Sequence, residues 1–220
     1  PAFLKATHYL DVFTVTTPVR KDKRADPEAI RKAVNSDTIL IAASAPCYPH
    51  GVVDPIDEIA PVALEKNILF HVDACMGGMF LPFAALLEYP ITPFDFNVPG
   101  VTSISADLHK YGYAPKGASV ILYHNRALRR HQFFVSTDWS GGLYGSTSFQ
   151  GSRSGGPVAA AWATLMNLGS EGYLRMTRNV METSRKIQSG INSIEGLRVI
   201  SNPDMGLISF TSDTLDRFEV

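Results

Sequence analysis

The chain has 220 residues, of which 45% are hydrophobic and 19% are charged, and its formal net charge is −1. This is the composition of a globular protein with ample apolar material for a core, and it excludes broad binding to nucleic acid or anionic membranes, because both need a basic excess. Two cysteines are too few for a disulfide framework, and no apolar run approaches the roughly 18 residues of a membrane span, so a cytoplasmic setting is expected.

The first half of the chain alternates predicted helices with short apolar runs. One helix is predicted over residues 26–35, with Asp26 as N-cap and Pro27 at the first helical position. A second is predicted over about 57–66, because Pro61 is tolerated only near the start of a helix. Four apolar runs, each typical of a strand buried on both faces, cover residues 38–43, 68–72, 101–105 and 118–123. This alternation predicts an α/β fold with a mostly parallel sheet.

The second half of the chain changes character. Residues 133–157 are rich in glycine, serine and aromatic residues without a sustained period, which predicts a long functional loop. Two helices follow, with apolar faces formed by Val158, Trp162 and Leu165 in the first and by Val180, Ile187, Ile191 and Ile194 in the second, over about 171–194. Residues 196–200 and 207–211 are expected to begin a small α+β domain. We therefore predict a large domain over 1–169 and a connecting helix with a truncated small domain over 170–220, and expect the chain to be a piece of a longer polypeptide.

Chemically active side chains follow the predicted strands. They are His71 and Asp73 at the end of the second strand, His109 and Lys110 after the third, and His50 in the turn after the first. Because the carboxyl ends of parallel strands share one edge of a sheet, these side chains are expected to converge there. A lysine and a buried carboxylate at one edge suit pyridoxal 5′-phosphate (PLP), since the lysine condenses with the aldehyde and the carboxylate keeps the pyridine nitrogen protonated.

Each of these residues also has an ordinary structural interpretation. Lys110 could be a solvated surface lysine, Asp73 a helix cap and His71 a hydrogen-bonded histidine of the core. His71, Asp73 and His109 could instead bind a metal ion, which would make the chain a metal-dependent hydrolase. Their separations lack the tight ligand spacing of zinc motifs, so no metal is predicted.

Longer runs of sequence carry a resemblance to a known family. The runs HVDACMGG over 71–78 and TSISADLHKYGYAPKG over 102–117 are similar to the group II PLP-dependent decarboxylases. The runs PCYPHGVVDP over 46–55, TDWSGG over 137–142 and GSRSGG over 151–156 resemble most closely one branch, the sphingosine-1-phosphate lyases. The resemblance implies a fold type I, aspartate-aminotransferase-like large domain, PLP as cofactor, and a homodimer with sites near the interface. It also implies cleavage of the C2–C3 bond of a phosphorylated sphingoid base to phosphoethanolamine and a long-chain aldehyde.

The same resemblance implies roles for individual residues around the cofactor. Lys110 would be the Schiff-base lysine, Asp73 the partner of the pyridinium nitrogen, and His109 a neighbour of the PLP phosphate. Ser105 and His71 would make further cofactor contacts. A glycine- and threonine-containing phosphate loop and a histidine that stacks on the ring, both typical of the family, have no counterpart in the 220 residues and are expected to precede position 1.

The catalytic residues on the substrate side are left open among several candidates. Lys116 resembles a second lysine that the lyases need for activity, and the base that takes the C3 hydroxyl proton could be Lys116, His50 or the displaced Lys110. Lys116 or Arg153 could pair with the substrate phosphate. Four aromatic residues either line a channel for the aliphatic tail or pack in a core or interface, namely Phe133, Phe134, Trp139 and Tyr144.

Two other functions remain possible within this interpretation. An amino-acid decarboxylase of the same family would share Lys110 and Asp73, although the runs over 46–55 and 137–142 favour the lyase. A structural or interacting fragment without activity is the non-enzymatic alternative, because half of the cofactor cradle is expected to lie outside the chain. The cellular location would be cytoplasmic, or on the cytosolic side of the endoplasmic reticulum if an anchor precedes this stretch.

Overall fold

A computed structural model describes residues 1–216, and a four-stranded sheet forms its centre. The strands are β1 (Leu40–Ser44), β2 (Leu69–Asp73), β3 (Ser103–Ala106) and β4 (Val120–Tyr123). The first three pair in parallel, and β4 pairs antiparallel with β3 at the edge. Each strand begins within two residues of its predicted start, and the mostly parallel sheet confirms the α/β prediction.

The alternation of side chains gives the sheet two unlike faces. One face, here called the polar face, carries Asp73 beside Ser105 and His71 beside Ser103. The other face packs into the main hydrophobic core together with the buried residues of four helices, through Ile41, Ala43, Phe70, Val72 and Ile104. Since successive residues of a strand point to opposite faces, the core fixes which residues the polar face presents.

The prediction that the strands are buried on both faces is wrong for the two outer strands. In β1, Leu40 is 43% exposed while Ile41 beside it is buried, and the side chains of β4 are exposed on both faces. Within residues 1–216, β1 and β4 are the edge strands of the sheet, and the helical part of the core covers only one face. The apolar sequences of β1 and β4 therefore do not indicate whether one or both faces of the sheet are covered.

Six helices surround this sheet or follow it. They are α1 (Ala2–Leu10), α2 (Pro27–Ala33), α3 (Ile56–Lys66), α4 (Leu81–Leu86), α5 (Arg126–Arg129) and α6 (Gly155–Asn192), and a 3₁₀ turn covers Arg130–Gln132. The predicted cap of α2 is confirmed, because the carboxylate of Asp26 accepts hydrogen bonds from the backbone N–H groups of Glu28 and Ala29 at 3.0 and 3.4 Å. The placement of Pro61 in the first turn of α3 is wrong; burial of Ile59 and Val62 on either side offsets the cost of an interior proline.

The glycine-rich region over 133–157 contains a small hairpin that was not predicted. Its strands are β5 (Phe134–Ser136) and β6 (Tyr144–Ser146), which pair antiparallel. The run TDWSGG connects them, and Gly142 has a φ of +91°, in the region that glycine adopts without strain. The hairpin has no buried residue within the described part of the chain, which is why apolar periodicity did not indicate it.

The two helices predicted after the hairpin join into α6, which is interrupted at Gly169. There φ is +56° and ψ is −178°, so the helical path breaks at the predicted boundary between the helices. The predicted apolar faces are only partly confirmed, because Val180 packs against the main core whereas Val158, Trp162, Ile187 and Ile194 are exposed. The buried residues of α6 are Ala161, Gly172, Tyr173, Thr177, Met181 and Ser184. Small side chains and a hydrogen bond from Tyr173 Oη to the Gly112 carbonyl at 2.8 Å determine the inward face. Neither α6 nor another helix in the described part has an apolar stretch that could span a membrane.

The C-terminal segment forms a second small hairpin and also packs against the main core. Its strands are β7 (Leu197–Val199) and β8 (Phe210–Ser212), so β8 begins three residues later than predicted. Between them, Met205 is fully buried in the core. The division into domains at residue 169 stays a prediction, and residues 217–220 of the predicted small domain lie outside the described residues.

Asp204 ties this segment to the turn after β1. Its carboxylate accepts hydrogen bonds from Arg24 Nη1 at 2.8 Å and from the backbone N–H of Val53 at 2.7 Å. Its own backbone N–H donates to the Gly51 carbonyl at 2.8 Å. The side chains of Arg24 and Asp204 are mostly buried, so each relies on the other to satisfy its charge.

Replacing Asp204 by alanine is expected to lower the free energy of unfolding by about 2–3 kcal/mol, because it leaves the guanidinium of Arg24 without its carboxylate in a mostly buried site. Urea unfolding followed by circular dichroism measures this. Asp213→Ala is the matched control, since Asp213 pairs with Arg198 at 3.2 Å with both side chains more than half exposed, and its loss should stay below about 1 kcal/mol. Equal losses in the two variants would contradict the structural role of Asp204.

Candidate active site

Asp73 closes β2, and its carboxylate is held in a fixed orientation on the polar face. Ser105 Oγ donates a hydrogen bond to Asp73 Oδ1 at 3.1 Å from the neighbouring strand. The backbone N–H of Cys75 donates to the same oxygen, also at 3.1 Å. These two donors orient the carboxylate at the carboxyl edge of the parallel strands, where ligands bind in sheets of this kind.

Lys110 lies in the turn after β3, and its amine reaches the same edge. Lys110 Nζ is 2.8 Å from Asp107 Oδ2, and the thiol of Cys75 is a further neighbour of the amine. Burial acts to lower the pKa of Lys110, but the contacts with Asp107 and Cys75 outweigh burial and raise it above its ordinary value. Cys75 also interacts with the carboxylate of Asp73. Lys110 and Asp73, which are predicted to hold two different parts of a bound cofactor, are therefore both neighbours of Cys75.

Asp107 is a residue that sequence reasoning missed. Its side chain is only 13% exposed, its Oδ1 accepts a hydrogen bond from Ser119 Oγ, and its Oδ2 lies 3.6 Å from His109 Nε2 as well as close to Lys110. Burial acts to raise the pKa of Asp107, but Lys110 and Ser119 outweigh it and lower the pKa. Its position three residues before Lys110 in a turn is the signal that could have identified it.

The two histidines near this edge have different surroundings. His71 is buried on the polar face, its Nδ1 lies 2.8 Å from Ser103 Oγ, and the ring of Phe3 packs edge-on at 5.6 Å. Burial lowers the pKa of His71, so the ring is neutral near pH 7. His109 has a buried Nδ1 that finds no hydrogen-bond partner anywhere in residues 1–216. A buried polar atom without a partner indicates that a further polar group is needed at this position.

Two of the predicted catalytic residues are not brought into contact with Lys110. His50 Nδ1 lies 3.3 Å from Ser209 Oγ, and the His50 carbonyl accepts a hydrogen bond from Ser201 at 2.7 Å, so the C-terminal segment holds this residue. Lys116 is exposed, and its amine forms no hydrogen bond or ion pair with any residue the structure describes. Arg153 Nη2 donates to the carbonyl of Gly117 at 3.5 Å, which places a second cation beside Lys116 in the chain.

The aromatic residues predicted as a channel or packing surface are exposed on the hairpin. Tyr144 contacts Phe134 and Trp139 with ring centroids 6.2 and 6.1 Å apart. Phe133 lies next to Arg129, whose guanidinium is 5.5 Å from the ring centroid. They form a surface cluster rather than a lined channel in the described chain.

The residues at this edge fit PLP better than a metal ion. Over residues 1–216, no group of three or more histidine, cysteine or acidic side chains is arranged to hold a metal. The amine of Lys110 matches an aldehyde, the oriented carboxylate of Asp73 matches a ring nitrogen, and the unpartnered nitrogen of His109 calls for one more polar group. An amine and an oriented carboxylate at one site are the groups that PLP chemistry uses.

Known proteins share both the sequence and the fold of this chain. The pyridoxal-dependent decarboxylase conserved domain matches residues 4–213. The sphingosine-1-phosphate lyase of Arabidopsis thaliana is 52% identical over 219 residues, which are 100% of this chain and 40% of that protein. Sphingosine-1-phosphate lyase 1 of Rattus norvegicus is 44% identical over 220 residues, which are 100% of this chain and 39% of that protein.

Solved structures extend the similarity to the backbone. The sphingosine-1-phosphate lyase of Burkholderia pseudomallei superposes with a TM-score of 0.94 at 47% identity, over 99% of this chain and 50% of that chain. Glutamate decarboxylase of Lactobacillus brevis superposes with a TM-score of 0.83 at 21% identity, over 98% of this chain and 49% of that chain, and so shares the fold. The fold type I expectation is therefore confirmed. The chain spans about 40% of the length of the curated relatives it matches.

Proposed function

Because the chain belongs to the pyridoxal-dependent decarboxylase family, we propose that it binds PLP and cleaves the C2–C3 bond of a phosphorylated sphingoid base. The products would be phosphoethanolamine and a long-chain aldehyde. The observation that carries the proposal is the placement of Asp73 and Lys110 around Cys75 at the carboxyl edge of the sheet. The similarity to lyases, which is much higher than the similarity to decarboxylases of the same fold, favours carbon–carbon cleavage over decarboxylation.

Different residues at this edge of the sheet would hold different parts of the cofactor. When bound, PLP supplies an aldehyde that an amine can capture and a protonated ring that accepts an electron pair from the substrate. Lys110 would be the amine that anchors the aldehyde, and Asp73 would keep a proton on the ring nitrogen, with its carboxylate oriented by the hydrogen bond from Ser105. His109, whose buried Nδ1 has no partner in residues 1–216, would contact the phosphate end of the cofactor. The neutral His71 would add a polar, uncharged group on the face of the sheet that carries Asp73.

The residues on the substrate side act by moving a proton and by binding an anion. Removal of the proton from the C3 hydroxyl requires a base, and the candidates are Lys116, His50 and Lys110. Lys110 is the candidate beside the cofactor residues, whereas His50 is held by Ser209. Lys116 and Arg153 lie close in the chain fold on an exposed surface, where both can pair with a substrate phosphate.

An assay of products distinguishes the lyase from the alternatives. The protein is incubated with PLP and sphingosine 1-phosphate, and long-chain aldehyde and phosphoethanolamine are measured. Parallel reactions with amino acids are assayed for carbon dioxide. Aldehyde formation supports the proposal. Carbon dioxide without aldehyde would overturn it in favour of a decarboxylase, and neither product with no bound PLP would favour a fragment without activity.

Replacing Lys116 by alanine is expected to leave the capture of PLP intact and to lower turnover by at least about 100-fold, the lower range for a group that transfers a proton. Capture is expected to be retained because Lys116 makes no contact with Lys110, and turnover is expected to fall because Lys116 is proposed to act on the substrate. Capture is measured by visible absorbance and turnover by aldehyde release. Lys66→Ala, at the exposed end of α3, is the matched control. Undiminished turnover of Lys116→Ala would remove it from the mechanism.

A homodimer is the proposed assembly, supported by apolar surface that the described chain leaves uncovered. The exposed residues lie on the first half of α6, in the connection of the β5–β6 hairpin and just after β6, and they include Val158, Trp162, Met166, Leu143 and Phe149. Patches of this kind on a soluble chain mark interaction surfaces. Sedimentation of the protein tests the assembly.

The free cysteines Cys47 and Cys75 support a reducing location, in the cytoplasm or on the cytosolic side of the endoplasmic reticulum.

A further inference from the structure

We propose that Asp107 is a positioning residue that holds the amine of Lys110 against its carboxylate and thereby sets the pH dependence and the rate with which Lys110 captures the cofactor aldehyde. The proposal rests on the proposed function for the identity of the aldehyde. It adds a residue to the site, and it concerns the step in which the protein acquires its cofactor rather than the cleavage of substrate.

Asp107 is fixed, whereas Lys110 has a flexible side chain. The backbone N–H of Asp107 donates to the Cys75 carbonyl at 3.2 Å, which ties the turn after β3 to the turn after β2. Ser119 Oγ donates to Asp107 Oδ1 from the residue before β4. The backbone N–H of Lys110 donates to the Asp107 carbonyl at 3.2 Å, so the turn brings the two side chains together. The carboxylate is therefore a rigid partner to which the amine returns.

The hydrogen bond with Asp107 is the largest single contact that raises the pKa of Lys110, and contacts with Cys75 follow it. Asp107 contacts the amine from its own turn, where His109 is in turn a neighbour of Asp107. Cys75, which also interacts with Asp73, contacts the amine from the turn after β2. Asp107 is the carboxylate in direct contact at 2.8 Å, whereas Asp73 interacts with Cys75 and is not among the groups that shift the pKa of Lys110. The pKa of Lys110 is raised in this setting despite burial. Removing the charge of Asp107 should therefore move the amine toward its neutral form.

Only the neutral amine can capture an aldehyde. The ammonium first releases a proton to solvent, the nitrogen lone pair then attacks the aldehyde carbon, and a C=N bond forms as one water molecule leaves. Below the pKa of the lysine, the neutral fraction rises tenfold for each pH unit, and a contact that raises the pKa by one unit slows capture at a given pH by about tenfold. Asp107 therefore keeps Lys110 in place at the cost of a slower reaction near neutral pH.

The first experiment measures the protonation of Lys110 in protein free of cofactor. Acetic anhydride is applied over a series of pH values, and mass spectrometry follows acetylation of Lys110, with the exposed Lys32 as reference in the same sample. In Asp107→Asn the midpoint of the Lys110 curve is expected to fall by about one pH unit, and reactivity near pH 7 to rise about tenfold. Asp37→Asn, an exposed acid remote from this contact, should leave the curve unchanged. Identical midpoints in Asp107→Asn and the parent protein would overturn the proposal.

The second experiment separates this proposal from the proposed function. PLP is added, the C=N bond is reduced with borohydride at timed intervals, and the modified peptide is identified. Failure of PLP to modify Lys110 in the parent protein would reject the proposed function, while the acetylation curve would still decide the role of Asp107. Faster modification of Lys110 in Asp107→Asn supports the proposal. Asp107→Glu, which retains a carboxylate, should restore most of the parent midpoint, and Asp107→Ser replaces the asparagine variant if that variant does not fold.

Discussion

Replacing Lys110 by alanine is expected to abolish the covalent capture of PLP and to lower turnover by at least about 10³-fold, a loss typical of removing a covalent catalytic group. No second lysine is placed beside Asp73 and Cys75 among the residues described, so another amine cannot replace it there. Capture is followed by the visible absorbance of the cofactor and its loss on treatment with borohydride. Turnover is followed by release of long-chain aldehyde.

Two control variants separate the chemistry of Lys110 from its charge. Lys110→Arg keeps a cation near Asp107 but has no amine that condenses with an aldehyde, so it should be as inactive as Lys110→Ala while unfolding like the parent protein. Lys32→Ala, on the exposed side of α2, should retain full capture and turnover. Turnover by Lys110→Ala at the parent rate would show that the cofactor is anchored elsewhere.

Replacing Asp73 by asparagine is expected to preserve capture of PLP but to lower turnover by about 10²–10³-fold, as when a preorganised electrostatic group is lost from a site. The amide has the shape of the carboxylate, and its oxygen can still accept hydrogen bonds from Ser105 Oγ and the backbone N–H of Cys75. It carries no negative charge, so a ring nitrogen beside it would no longer be kept protonated. The measurement is kcat for aldehyde release at saturating PLP.

The control for this variant is the same exchange at an exposed position. Asp37→Asn changes the net charge equally but lies in a surface turn far from the polar face, and its turnover should equal that of the parent protein. Asp73→Asn with parent kcat would contradict the role of the carboxylate. If capture were also lost, the result would assign Asp73 to binding rather than to the chemical step.

The sequence was most informative where local rules and strand periodicity act alone. Asp26 was identified as a cap because its side chain and the following proline satisfy the start of a helix by themselves. The convergence of Asp73 and Lys110 followed from parallel pairing, which requires only that neighbouring strands end at one edge. The roles of these residues in catalysis stay predictions, since geometry alone does not test them.

The missed features depend on contacts between segments that are distant in the chain. The apolar periodicity of the helix predicts Trp162 on the inward face, but in the structure it is exposed. Periodicity shows that an apolar stripe exists, but it does not show which stripe packs against another segment. The sequence places His50 near Lys110, but in the structure the C-terminal segment packs against the turn that contains His50. The carbonyl of Leu207 lies where a side chain on Gly51 would be, and His50 contacts Ser209. Asp107 was overlooked because an acid in a turn has many ordinary explanations.

Odd-numbered and even-numbered residues of β2 and β3 lie on opposite faces of the sheet. Odd-numbered positions such as Asp73 and Ser105 belong to the site, and even-numbered positions such as Val72 and Ile104 belong to the core. Substitutions at the partly exposed odd positions Asp73 and Ser105 should therefore act mainly on the chemistry, whereas substitutions at the buried even positions Val72 and Ile104 should act mainly on folding. Deleting one residue within β2 would exchange the two sets, burying a carboxylate where Val72 packs and exposing apolar groups at the site. Chemistry and stability can thus evolve separately along the same strand, provided that its length is kept.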